Sequence, residues 1–325
     1  MSKQNHTADE LSGVLLVDKM AGITSHDLVN IVRRISGQKS VGHAGTLDPM
    51  ATGLMTVLLG QATKLEPWLV KADKTYLGQA HLGLQTDTDD ITGQILSLWH
   101  GAYPSFEEIR QALKSLEGTF PQTPPSYSAI KVGGQPAYKA ARAGNPLDLP
   151  PRMVTAYSLK PLDWSPPLLS FEATVSSGYY VRSLARELGQ KLGLGGGALA
   201  SLRRLSSGAF SIEQASALPS DRESLSIKLM SPETALAHLP KLNLSMEQVR
   251  SLCFGQKLPA PPDSQDGQYV VLGPDEHLAA VVEINRQSSD EDDCPKPRRP
   301  FLRPLRVFAP TDLWTDGDKP YGREQ

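Results

Sequence analysis

Only two of the 325 residues are cysteine, Cys253 and Cys294. They stand far apart, which excludes a disulfide framework and a thiolate metal site. No apolar run is long enough to cross a bilayer, and the polar stretch Met1 to Glu10 has no signal-peptide core. The expected location is therefore cytoplasmic, with no membrane partner. The formal net charge is only -2. That balance excludes a uniformly basic surface for nucleic acid, so the placement of charge matters more than its sum. Lys131, Lys139, Arg142, Arg152 and Lys160 form one basic stretch, opposed only by Asp148. Arg182, Arg186, Lys191, Arg203 and Arg204 form another, with Glu187 inside it. Acid gathers elsewhere, at Asp290 to Asp293.

Two motif fragments are discarded on context. Gly193-Leu194-Gly195-Gly196-Gly197-Ala198 matches a dinucleotide fingerprint in outline, but it follows a helical pattern rather than a strand. Gly37-Gln38-Lys39-Ser40 has the end of a phosphate loop without its opening glycine. No metal site and no cofactor is expected.

What is present reads as strands and helices interspersed irregularly, an α+β chain long enough for two domains. Gly13 to Asp18 is a short buried strand. Ser25 is placed to cap a helix with Leu28, Ile31, Val32 and Ile35 on one face, stopped by Gly37. An apolar element runs to Leu59, and Lys74 to Leu82 is strand-like. Gly83 to Gly93 is a polar loop rich in Asp and Thr. Ser105 and Glu108 form a capping-box pair for the next helix. Strands are expected at Tyr127–Val132, Met153–Leu159 and Leu169–Ser176, and helices at Pro136–Arg142 and Val181–Leu192. Near Asn243 the character changes to one short helix, Ser245 to Phe254, and strands at Gln268–Leu272, Leu278–Ile284 and Leu305–Phe308. Residues 288–299 read as a mobile, charged insertion. The tail 311–325 carries no signal.

The stretch from Val41 to Gly53, VGHAGTLDPMATG, stands apart. Its three glycines allow close backbone approach or positive φ, and the proline after Asp48 biases that residue to extended geometry. A shaped loop bearing one carboxylate thus leads into a buried element. By itself, an Asp-Pro step is ordinarily a turn.

The whole string closely resembles the active-site motif of the TruB-type tRNA pseudouridine-55 synthases, and further motifs follow in order. Gly13 to Lys19 looks like the family's opening strand, with Met20 where a proline is usual. Asp73-Lys74-Thr75-Tyr76, Leu82 to Asp89 with Gly93-Gln94, and Pro124 to Lys131 resemble three more segments. Ser177 to Leu184 resembles the segment carrying a pocket tyrosine and an arginine, with Ser177 where a lysine is common. Leu202-Arg203-Arg204-Leu205 completes the set, so the match covers roughly Gly13 to Phe210.

The resemblance implies a pseudouridine synthase fold, with a mixed central sheet and an RNA-binding cleft, over residues 10–242. A small β-rich, divergent PUA-like RNA-binding module would occupy 243–310. It implies isomerisation of uridine 55 in the tRNA T-stem-loop by a monomer acting without guide RNA. Such a reaction needs an ionised carboxylate beside the ribose and base, and Asp48 is the candidate. Arg182 could orient it through a bidentate pair, which lowers a carboxylate pKa. Tyr76 would stack on the flipped uracil, Tyr180 would line the same pocket, and Leu202 would be its apolar wall. His43 would fill the gap left by the extruded base. Lys19, Lys131 and Arg203 would contact phosphates. Read alone, each of these side chains has an ordinary structural role. The rival functions are a guide-RNA-dependent synthase acting on ribosomal RNA, and an RNA chaperone that folds tRNA, with or without catalysis.

Overall fold

The computed structural model describes residues 10–308 apart from 129, 133, 146 and 286–299. The insertion 288–299 and the tail 311–325 therefore lie outside the described residues. The chain forms two compact units, one of Leu15–Leu58 and Glu66–Lys228. The other comprises the described residues of Met1–Val14, Leu59–Leu65 and Leu229–Gln325.

The first strand, β1 (Gly13–Lys19), is buried almost throughout. Helix α1 (Ser25–Ser36) buries Leu28, Val29 and Val32, each worth about 1.5–3 kcal/mol. Its cap is Thr24 and not the expected Ser25. Thr24 and Asp27 form a reciprocal capping box, while the buried Ser25 hydroxyl both donates to and accepts from the Leu47 backbone. Gly37 ends the helix at φ 70°, as expected. Strands β2 (Val41–His43) and β3 (Thr52–Leu59) then flank the Asp48 loop. Helix α2 (Glu66–Leu69) leads to β4 (Lys74–Leu82) and to a hairpin of β5 (Leu84–Thr86) and β6 (Ile95–Leu98).

Helix α3 (Phe106–Lys114) carries the expected Ser105–Glu108 capping box. Strand β7 (Gly118–Gln122) is followed by β8 (Lys131–Val132), β9 (Gln135–Pro136) and α4 (Ala137–Arg142). Among the described residues, the strand expected over Tyr127–Val132 is confined to the last two. The Tyr127 carbonyl accepts instead from Arg182, so it is withdrawn from any ladder. Strands β10 (Arg152–Ser165) and β11 (Leu168–Val175) pair antiparallel, and α5 (Val181–Lys191) follows. Next come β12 (Gly197–Ser207), β13 (Phe210–Ser211) and α6 (Arg222–Ile227).

A mixed sheet organises these elements, in the order β1-β3-β12-β4-β11-β10-β7. Strand β12, which the sequence pattern did not suggest, lies inside it. It runs parallel to β3 and antiparallel to β4, and α5 packs against both β12 and β4. Arg204 on β12 sits opposite Gly53 on one side and Tyr76 on the other.

The second unit holds α7 (Pro232–Ala235), β14 (Lys241–Asn243), α8 (Met246–Cys253), β15 (Leu258–Pro259), β16 (Gly267–Leu272), β17 (Leu278–Ile284) and β18 (Phe301–Val307). Its five-stranded sheet, β14-β16-β17-β18-β15, has its own apolar core around Val249, Leu252, Val271, Val282 and Leu302. Among the described residues no helix is long and apolar enough to cross a membrane.

Candidate active site

The loop between β2 and β3 is held at nearly every residue. The Ala44 N–H donates to Thr56, the Ser25 hydroxyl pins Leu47, and the Pro49 carbonyl accepts from Gly22. Asp48 and Ala51 close a turn, with the Ala51 N–H donating to the Asp48 carbonyl at 3.0 Å. Beneath it lies Lys19, 1% exposed, whose ammonium donates to the carbonyls of Met20, Asp48, Pro49 and Ala51. Burial lowers its pKa to about 8, against the pull of the Asp48 charge. The structure therefore turns this lysine inward, away from the phosphate contact expected of it: four carbonyls saturate the ammonium.

The Asp48 side chain remains one-third exposed, at 33%. Arg182 meets both of its oxygens, Nε at 2.8 Å from Oδ2 and Nη2 at 3.1 Å from Oδ1. The first turn of α5 presents this arginine, which is itself buried. Its remaining donors reach the Thr88 carbonyl at 3.2 Å and the Tyr127 carbonyl at 3.0 Å. Asp90 stands 3.7 Å from Nη1 and is fixed in turn by the Thr88 hydroxyl and by the N–H and hydroxyl of Thr92. One turn further along α5, Arg186 pairs with Asp89. The guanidinium is thus braced from two segments before it touches Asp48.

Burial raises the Asp48 carboxyl above its ordinary pKa, Arg182 opposes the rise, and Asp90 adds to it. An arginine alone predicts a depressed value. The net direction is upward because withdrawing the carboxylate from water outweighs the ion pair.

Tyr76 is buried on β4, opposite Ala173 of β11 and Arg204 of β12. Leu202 is buried two residues away on β12, opposite Gly78. Directly paired residues point to the same side of a sheet, so Tyr76, Leu202 and Arg204 share a face. Arg203 points to the other face, where it pairs bidentately with Asp18 at 3.0 and 2.7 Å. Tyr180 caps α5 in extended geometry, with its N–H on Gln122 at 2.8 Å, and packs on Ile130, Ala137 and Leu149. His43, half-buried, has an Nδ1 with no hydrogen-bond partner. Burial and the nearby Arg204 charge lower its pKa below 6.5, so the ring is neutral at neutral pH. Lys131 begins β8, and its side chain lies outside the described structure.

A family model for the N-terminal domain of TruB family pseudouridylate synthases matches residues 33–181. The tRNA pseudouridine synthase B of Synechococcus sp. (strain WH7803) is 42% identical over 269 residues, covering 80% of this chain and 89% of that protein. The chain belongs to the TruB family of pseudouridine synthases. A second TruB relative, the tRNA pseudouridine synthase B of Syntrophotalea carbinolica, is 38% identical over 92% of this chain and 98% of its own length. The TruB fold extends to a solved Cbf5-Nop10-Gar1 complex, with a TM-score of 0.69 at 26% identity. That match covers 93% of this chain and 86% of the other. The mixed α+β architecture expected from the motifs is the one observed.

Sequence reasoning left Asp90 unassigned in a polar loop and placed Arg204 in a basic stretch and in the Leu202–Leu205 motif, among arginines expected at phosphates, whereas its side chain is 1% exposed. The available signals were the Asp and Thr density around Asp90 and two adjacent arginines in a strand-length segment.

Proposed function

We propose that this synthase isomerises uridine 55 in the T-loop of tRNA, with Asp48 as the catalytic carboxylate. The observation that carries the reading is the bidentate Asp48–Arg182 pair, which orients a carboxylate that is still open to a ligand. The C1′–N1 bond breaks, the uracil turns, and C1′ bonds to C5. C5 then loses a proton and N1 gains one, so nothing is consumed. An ionised carboxylate serves this by attacking the sugar, attacking the base, or taking the 2′ proton.

A uridine in a folded loop must first leave its stack, at a cost of a few kcal/mol. Tyr76 offers it a ring to stack on, Leu202 an apolar wall and Tyr180 a pocket side chain, while His43 fills the vacated stack. Lys131 supplies phosphate contacts. The chain works in the cytosol, as a monomer and without a guide. Relatives named for tRNA stand at 42% and 38% identity, and the Cbf5-Nop10-Gar1 complex at 26%, which supports tRNA as the substrate. Residues 243–310 act as a divergent PUA-like module that adds contact area, in keeping with a sheet that has a core of its own.

Purified protein incubated with an unmodified tRNA transcript tests the reading. Pseudouridine mapped chemically at position 55 is expected. Product only elsewhere, or only with an added guide RNA, would overturn it.

A further inference from the structure

Arg204 is the largest fully buried side chain among the described residues, 1% exposed. No carboxylate is among its partners in the described structure. Nε donates to the Leu54 carbonyl at 2.7 Å, Nη1 to Thr46 at 3.4 Å and Nη2 to Gly45 at 3.3 Å. Nη2 also meets the Met55 sulfur at 3.4 Å. Its charge is felt by basic groups nearby: burial is the main cause that lowers Lys19 and Lys74 to about 8 and that lowers His43, and Arg204 adds to each fall.

For a core this is an unfavourable arrangement. A buried cation with no counter-ion and basic neighbours is poorer than an apolar side chain of similar volume. What the guanidinium does have is reach. Gly45 and Thr46 precede Asp48 and Leu54 follows it, so one planar group grips both arms of the loop. Lys19 holds only the tip, and Ser25 holds only Leu47. Arg204 ties both arms to β12, the strand that carries Leu202 and lies against Tyr76.

Two glycines keep that grip possible. At Gly53, φ +99°, a Cβ would stand 2.3 Å from the Arg204 carbonyl oxygen, so only glycine lets β3 come this close. At Gly45, φ +94°, a Cβ would stand 3.6 Å from Nη1. The backbone conformation, more than the space, requires glycine there.

The geometry points to Arg204 as a positioning residue that sets the distance between the Asp48 loop and the base-holding strands β4 and β12. The inference rests on the reading of Asp48 as the catalytic group. Arg204 touches no reacting atom; it acts through the backbone of the loop. A misplacement of about 1 Å at such a distance costs roughly 100-fold in rate, with little effect on RNA contacts made elsewhere.

The test uses the full chain with Arg204→Lys, which keeps charge without the fork, and Arg204→Gln, which keeps donors without charge. Thermal melting establishes folding, and an unmodified T-stem-loop RNA supplies binding and single-turnover rates. Hydrogen exchange is followed on peptides covering 44–54 and on β10–β11. Expected are folded variants whose RNA affinity stays within about threefold while the rate falls roughly 100-fold. Exchange should quicken over 44–54 and not in β10–β11. A folded variant with near-normal rate overturns the inference, as does a rate loss matched by equal loss of binding. Failure of both variants to fold also overturns it, since the guanidinium would then be holding up the core. Asp48→Asn, run alongside, separates the two claims: its activity bears on Asp48, and the exchange pattern on Arg204.

Discussion

Arg182 presents two nitrogens to the two oxygens of Asp48, at 2.8 and 3.1 Å, while its other donors hold backbone carbonyls of Thr88 and Tyr127. A planar fork can serve these positions at once, and an ammonium cannot. Arg182→Lys is therefore expected to lower the single-turnover rate by on the order of 100-fold, the equivalent of one or two charge-assisted hydrogen bonds. RNA affinity should change far less. A lysine variant with near-normal rate would remove orientation from the account of Arg182.

The raised Asp48 pKa sets a pH dependence. Chemistry requires the ionised form, so the rate should fall as pH drops through a pKa above the ordinary 3.8. The Asp90 charge contributes to that rise, so Asp90→Asn should move the acidic limb of the profile to lower pH. Single-turnover rates across the acidic range measure it. A limb that moves up, or does not move, contradicts the electrostatic reading.

Lys19 and Lys131 should separate in a salt titration. The Lys19 ammonium is engaged by carbonyls, so Lys19→Gln should slow the reaction and leave the salt slope of RNA binding as it was. Charge reversal at Lys131 should flatten the slope by about 0.7–0.9 for each phosphate no longer neutralised. The reverse assignment would place the phosphate interaction on Lys19.

His43 is a neutral, half-buried ring beside the loop with one unpartnered nitrogen. If it fills the vacated stack, His43→Ala should slow reaction on intact tRNA more than on a loosened T-stem-loop, where less unstacking energy is needed. Equal proportional loss on both RNAs would leave His43 with loop packing only.

The parts of this molecule that were legible in the sequence are those where one local rule acts alone. The apolar spacing of Leu28 and Val32 marks α1, the Ser105–Glu108 pair starts α3, and Leu278–Ile284 is a strand throughout. Thr24 displaced Ser25 as cap because a tertiary bond to Leu47 claims the serine, and tertiary bonds leave no trace in local spacing. Strand β12 stayed hidden because it begins in glycine and places two arginines side by side, a pattern that reads as exposed loop. One of them is buried, and only the fold reveals that the backbone carbonyls of Gly45, Thr46 and Leu54 surround it. The Asp48 motif was visible as a string. Its bracing runs through Arg182, whose contact with Thr88 joins residues 94 apart in sequence.

The central claim is that Asp48 performs the chemistry and the rest of the site holds it in place. Asp48→Asn keeps size and polarity and removes the charge. With protein in excess over an unmodified tRNA transcript, pseudouridine at position 55 is measured over time and binding is measured in parallel. The account predicts no product at times when the parent protein has converted all of its RNA, with affinity retained. Near-normal product formation by Asp48→Asn would contradict it.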